Sequence, residues 1–207
     1  MERVLTYMIK NRTKIKENFI LDPKKAALLI IDVQNHFAHT DGRAYLPASK
    51  TAIPNILKVA DWCSNSGVPI IMTQHFHKDN NDRGLMSKVY DDYIKQGEWD
   101  SELVAELKNI KNYELVTKNT YDAFWNTRLQ ELLSSLKVEQ LIICGCLTHL
   151  CCESTARSAF VRGFEVYFVC DANFSSTQTL HDGSLLNIAN GFGFITTAKD
   201  LSSCNQM

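Results

Sequence analysis

The sequence predicts an α/β fold: a doubly wound, six-stranded parallel sheet with helices on both faces, in a Rossmann-like three-layer sandwich. Three observations lead there. Short apolar runs alternate with segments of helical spacing, the run 26–31 (AALLII) is apolar at every position, and no Pro-, Gly- or Ser-rich linker divides the chain. A strand without polar positions is buried on both faces, as strands inside parallel sheets are. Parallel neighbours also require right-handed crossovers, so strand and helix must alternate.

Taken in order, the run 26–31 is the first strand and ends at Asp32. Residues 51–66 set Ile53, Ile56, Leu57, Ala60 and Cys63 on one helical face, and Gly67 supplies the stop. VPIIMT (68–73) is the second strand, and 100–109, with Leu103, Val104 and Leu107, is expected as a helix. YELVT (113–117) is the third strand, followed by a helix over 127–136 with Leu129, Leu132, Leu133 and Leu136. QLIICG (140–145), a helix over 149–162, EVYFVC (165–170), a helix over 181–190 and GFIT (193–196) complete the pattern. The stretch 75–99 has no regular pattern, and an irregular segment of that size beside a strand end often forms part of a site. One domain is expected over 1–207, with residues 1–21 as an arm packed on the body or on a second subunit.

A net charge of -1 leaves no surplus of cations to neutralise phosphates, so nucleic acid is not an expected partner. No apolar run approaches the roughly 20 residues that span a bilayer, and the charged N-terminus has no apolar core of a signal peptide. The seven cysteines cannot all pair within one chain, which points to free thiols in a reducing, cytoplasmic setting.

In open parallel sheets ligands bind outside the carboxyl ends of the strands, near the reversal of strand order. Three reactive residues stand there: Asp32 after the first strand, Lys118 after the third, and Cys151 early in the helix after the fourth. A helix terminus and a nearby ammonium both favour a thiolate, so Cys151 reads as a nucleophile. Asp32 is placed to take and return its proton, and backbone amides around 147–151 to hold an oxyanion. Taken singly, each has a plainer role, as a cap, a solvated charge and a core thiol.

At these residues the chain resembles the isochorismatase-like hydrolases, the superfamily that includes cysteine amidases. The likeness runs from about residue 22 to 200 through ALLIIDVQNHF (27–37), KNTYDAFWNTRL (118–129) and GCLTHLCCESTARSAFVRGF (145–164). It implies Asp32, Lys118 and Cys151 as a catalytic triad, and a thioester acyl-enzyme formed on a small amide, carbamoyl or ureido substrate. It also implies a cis peptide between Cys146 and Leu147, an oxyanion hole of the Leu147 and Cys151 amides, and a homo-oligomer, dimer or tetramer. The nicotinamidases of this superfamily bind a metal through an Asp-x-His pair after the second strand. Here that place reads HFH, with His75 where the Asp would stand and His77 at the His, so no metal or other cofactor is expected and nicotinamidase is set aside. Isochorismatases use the Asp on a vinyl ether and usually carry a small residue at the nucleophile position. The HFH segment, GEWDSEL (97–103) and LDPKKAALLI (21–30) nevertheless resemble the isochorismatase and ureidoacrylate-hydrolase branches. A vinyl-ether hydrolase using Asp32, or a non-catalytic binding protein, are the alternatives.

Phe37, His75, His77, Tyr121, Phe124, Trp125 and His149 are candidate walls of the substrate pocket, with His36 and His39 as possible neighbours. The group Cys144, Cys146, Cys151 and Cys152 invites a zinc or redox reading, but strand and loop geometry separates its members; Cys63, Cys170 and Cys204 read as core or tail. GFGF (191–194) leads from a helix into a strand, the reverse of a phosphate loop.

Overall fold

A computed structural model describes residues 20–202. Nearly all of the expected arm, and Cys204, lie outside the described residues. The strands are β1 (Ala26–Ile31), β2 (Ile70–His75), β3 (Tyr113–Lys118), β4 (Gln140–Cys146), β5 (Glu165–Phe174) and β6 (Phe194–Thr196). They form one six-stranded sheet in the order β3-β2-β1-β4-β5-β6, with every pairing parallel. The helices are α1 (Asn35–Ala38), α2 (Ser49–Asn65), α3 (Leu129–Ser135), α4 (Glu153–Val161), α5 (Gln178–Gly191) and α6 (Ala198–Ser202).

The period-two alternation of β1 splits its side chains between two cores. Ala26, Leu28 and Ile30 pack with Ile53, Ile56 and Val59 of α2. Ala27, Leu29 and Ile31 pack with Leu129 and Leu133 of α3, Ala156 and Ala159 of α4, and Ile188 of α5. Each such Leu or Ile contributes roughly 1.5–3 kcal/mol on burial, so the sheet centre is where the fold is most firmly held.

Several sequence expectations shift. Strand β2 occupies 70–75 instead of 68–73, because Val68 N–H closes the end of α2 on the Cys63 carbonyl and Pro69 has no N–H. The helix expected over 100–109 is replaced by separate 3-10 turns at Trp99–Ser101 and Ala105–Asn109. Val104 and Leu107 are buried as their spacing suggests, but the backbone bonds go elsewhere: Val104 N–H to the Val33 carbonyl, and Asn35 N–H to the Glu102 carbonyl. After β4 the chain makes a π turn over Thr148–Cys152, and α4 starts only at Glu153. Neither α1 nor α6 was legible in the periodicity.

Strand order reverses between β1 and β4, and there the two backbones come close. Gly145, opposite Ile31, has φ +125°, and a Cβ on it would stand 2.1 Å from the Ile31 carbonyl oxygen. Only glycine fits that crossing. The next residue on β1 is Asp32, so this close approach sets the floor of the crevice.

Candidate active site

Asp32 leaves β1 with φ 51°, a left-handed conformation uncommon for a residue with a side chain. Local bonds hold it. Thr73 Oγ1 accepts from Asp32 N–H at 3.1 Å and donates to Asp32 Oδ1 at 2.6 Å, while the Asp32 carbonyl accepts from Gln34 N–H at 2.8 Å. Lys118 ends β3 in register with His75 of β2. Its Nζ donates to the Thr120 carbonyl at 2.9 Å, meets Cys151 Sγ at 3.4 Å and lies 2.6 Å from Asp32 Oδ2. That last contact is a buried ion pair. The side chains of Asp32 and Lys118 are wholly buried, and Cys151 is 6% exposed.

Burial opposes the Lys118 charge, but Asp32 outweighs it and holds the ammonium firmly protonated. Burial likewise pushes the Cys151 thiol up. Lys118 pulls it down and Asp32 pushes it up again, leaving it at about 12. Desolvation thus outweighs the pull of the ammonium and opposes the thiolate expected from the sequence. At neutral pH Lys118 therefore rests as an ammonium and Cys151 as a thiol.

A cavity of about 360 Å³ opens over the thiol. Of the residues singled out in the sequence, Cys151, Leu147, Phe37, His75, His77, Tyr121 and His149 line it, and so does His36. Phe124 and Trp125 do not. Phe124 stacks on Phe164 in the core with ring centroids 5.9 Å apart, and Trp125 is 60% exposed on the outside. Three and four positions beyond Tyr121 on an irregular turn, neither reaches the cavity that Tyr121 lines. His39 is also outside it, set edge-on to Trp99. The Cys146–Leu147 peptide is cis. Cys144 and Cys146 face one core and Cys151 and Cys152 the other.

The patternless stretch after β2 forms the roof. Arg83, Met86, Tyr90, Tyr93 and Ile94 face the cavity from it. Arg83 is buried, donating to Asn80 Oδ1 at 2.8 Å and to the Tyr90 carbonyl, and its Nε has no partner among the described residues. Arg43 fastens the far end, pairing with Asp92 and Asp100 and donating to the Tyr93 carbonyl at 3.1 Å. Asp100 also meets His36 Nδ1 at 3.1 Å. Tyr90 and Tyr121 join roof to floor through their hydroxyls, 2.9 Å apart.

Thr73, Gln34, Arg43 and Arg83 were not found from sequence. Gln34 had a signal, lying two residues beyond Asp32 in the first motif. Thr73 sits in an apolar strand where a β-branched residue is ordinary, and the arginines look like solvated charges.

His75 and His77 do not make a metal centre. Their ring centroids are 4.9 Å apart and edge-on, and the carboxylate nearest His77 Nδ1, Asp82 Oδ2, is 4.0 Å away. Among the described residues no group of three or more His, Cys, Asp or Glu gathers to hold an ion, so the donor set does not fit the nicotinamidase arrangement.

A parallel sheet with an Asp, a Lys and a Cys converging at its switch point defines the class, and the isochorismatase domain model matches residues 26–200. The chain belongs to the isochorismatase family. It is similar to nicotinamidase 3 of Arabidopsis thaliana, 39% identical over 199 residues, with 94% of this chain and 96% of the relative covered. The isochorismatase of Bacillus subtilis is 31% identical over 90% of this chain, which spans 60% of that protein's length. Among solved structures, a cysteine hydrolase from Pseudomonas syringae pv. phaseolicola superposes with a TM-score of 0.86 at 26% identity, covering 90% of this chain and 94% of that one. No helix among the described residues is long and apolar enough to cross a membrane.

Proposed function

We propose that this chain hydrolyses a C–N bond in a small amide, carbamoyl or ureido compound, with Cys151 as nucleophile. The observation that carries this reading is Cys151 Sγ at the cavity floor, 3.4 Å from Lys118 Nζ, which in turn lies 2.6 Å from Asp32. Family membership and the similarity to a nicotinamidase and a cysteine hydrolase support the hydrolase class.

The resting thiol defines the first step. As Sγ attacks the substrate carbonyl, Asp32 takes its proton, so a free thiolate need not build up in a buried site. Lys118 stays charged and stabilises the negative charge passing between sulfur, carboxylate and substrate oxygen. Leu147 and Cys151 line the cavity, and in this reading their backbone amides are the oxyanion donors. Protonated Asp32 then returns its proton to the departing nitrogen, leaving a thioester on Cys151. Water, deprotonated by Asp32, cleaves the thioester and restores the thiol. Charge is conserved throughout, and no step passes through a metal.

The name of the Arabidopsis relative returns nicotinamide to the candidate substrates that the HFH segment had set aside. Arg83, a cation lining the cavity, supports instead a substrate carrying an acidic group, as ureido acids do. Ammonia release from a panel of nicotinamide, N-carbamoyl amino acids and ureido acids tests the reading. At least one is expected to be turned over by the wild type and by protein dialysed against EDTA, and none by Cys151→Ala. Turnover that survives Cys151→Ala but is lost in Asp32→Asn would reject cysteine catalysis in favour of direct attack by water activated by Asp32.

A further inference from the structure

His36 stands where floor and roof meet. It lies on α1, four residues beyond Asp32, and lines the cavity together with Cys151. Bonds on both flanks fix this short helix. Asn35 N–H donates to the Glu102 carbonyl at 2.8 Å and Asn35 Nδ2 to the Trp99 carbonyl at 3.0 Å, while the His36 carbonyl accepts from Ala44 N–H at 3.1 Å. The returning loop presses so close that a Cβ at Gly42 would stand 2.6 Å from the His36 carbonyl oxygen. The ring sits edge-on to Phe37, with centroids 4.6 Å apart.

The partners of the ring nitrogens define its chemistry. Nδ1 meets Asp100 Oδ2 at 3.1 Å. Asp100 is 6% exposed; burial opposes its charge, but Arg43 and then His36 outweigh burial and hold the carboxyl below its usual range. An ionised carboxylate only accepts, so Nδ1 carries a hydrogen, and Nε2 of a neutral imidazole is then a bare acceptor. A carboxylate on Nδ1 fixes both this tautomer and the direction of the ring. Nε2 has no partner among the described residues, and unlike His75 Nδ1 it keeps accessible surface. The side chain is only 11% exposed and lines the cavity, so that surface opens on the cavity.

A volume of about 360 Å³ is at the small end for a ligand site, so a substrate whose carbonyl meets Cys151 Sγ touches the other walls as well. Its departing nitrogen takes a proton from Asp32. A ureido group, R–NH–CO–NH2, then has one donor left, the inner N–H on the other side of its carbonyl. We infer that His36 Nε2 accepts a hydrogen bond from that inner N–H, making His36 a specificity residue that favours ureido compounds over simple amides and over ureas fully substituted at the inner nitrogen. The inference rests on the C–N hydrolase reading and adds to it the choice of substrate within that class.

N-carbamoylglycine and N-carbamoylsarcosine form a matched pair, differing in whether the inner nitrogen carries hydrogen or methyl. In Cys151→Ala, which forms no thioester, N-carbamoylglycine should move the 15N resonance of His36 Nε2 and N-carbamoylsarcosine should leave it in place. A resonance moved by neither, or equally by both, overturns the assignment, as does an Nε2 already protonated in the free protein at pH 7. Turnover separates the two ring nitrogens. His36→Asn keeps a donor for Asp100 but has no atom at the place of Nε2, so kcat/KM for N-carbamoylglycine should fall about tenfold, the worth of one neutral hydrogen bond. His36→Gln reaches the place of Nε2 and should lose less than about threefold. The reverse order, or equal effects, would show that the ring only braces Asp100 and would overturn the inference. No ammonia from N-carbamoylglycine with the wild type, beside a shifted His36 resonance in Cys151→Ala, would refute hydrolysis while upholding the acceptor, so the two failures are distinguishable.

Discussion

The floor and the roof of the cavity are built by different means. Asp32 and Cys151 stand just beyond β1 and β4, central strands paired on both sides, and Lys118 is the buried last residue of the edge strand β3, in register with His75 of β2. Residues 76–101 above them contain only short 3-10 turns and one bridge, between His77 and Lys95, and are fixed by side chains, chiefly Arg43 and Arg83. The floor thus derives its precision from the cooperative sheet, and the roof from a few polar clamps. Regions held by few bonds open at lower free energy than the core does. The chemistry should therefore tolerate no change in the floor, while changes in the roof should alter which substrate enters and how tightly it is held.

The largest expected effect comes from removing the buried cation. Lys118→Met leaves Asp32 buried without its partner and should cost about 3–5 kcal/mol of unfolding free energy, with activity reduced at least about 10³-fold. Urea unfolding measures the first and amide turnover the second. The double variant Asp32→Asn/Lys118→Met, which buries no lone charge, should be more stable than Lys118→Met alone. If Lys118→Met unfolds at the wild-type midpoint, the floor is less dependent on its ion pair than the geometry indicates.

A smaller effect, about tenfold per pH unit, is expected from alkylation of Cys151. Because burial holds the thiol at about 12, its reactive thiolate fraction should rise steadily between pH 7 and 10. Iodoacetamide rates at Cys151, read by peptide mass mapping, check this. A plateau below pH 8 would mean that the resting floor already holds a thiolate.

The smallest effect belongs to the roof. Arg43→Ala releases Asp92 and Tyr93 from Asp100 and should raise KM about three- to tenfold while changing kcat by less than about threefold. Steady-state kinetics on the same amide separates the two constants. A fall in kcat as large as that from Lys118→Met would erase the distinction between floor and roof.

Sequence alone determined the parts that depend on local pattern. The fully apolar run 26–31 defined a buried parallel strand, and alternation with helical segments defined the doubly wound sheet. Asp32, Lys118 and Cys151 were legible because each follows an apolar run, and chain direction in a parallel sheet delivers all such positions to one edge. The tertiary structure alone decided what depends on partners distant in sequence. Residues 100–109 carry helical spacing but bond across to Val33 and Asn35, so no helix forms. Phe124 and Trp125 lie within the matched motif yet face the core and the outside. Thr73 and Gln34 act on Asp32 and His75 across adjoining strands, contacts that exist only once the register is set. The charge state of Cys151 is of the same kind. A motif places the thiol near an ammonium, but the pKa is set by how much water the folded core excludes, and a linear sequence does not contain that quantity.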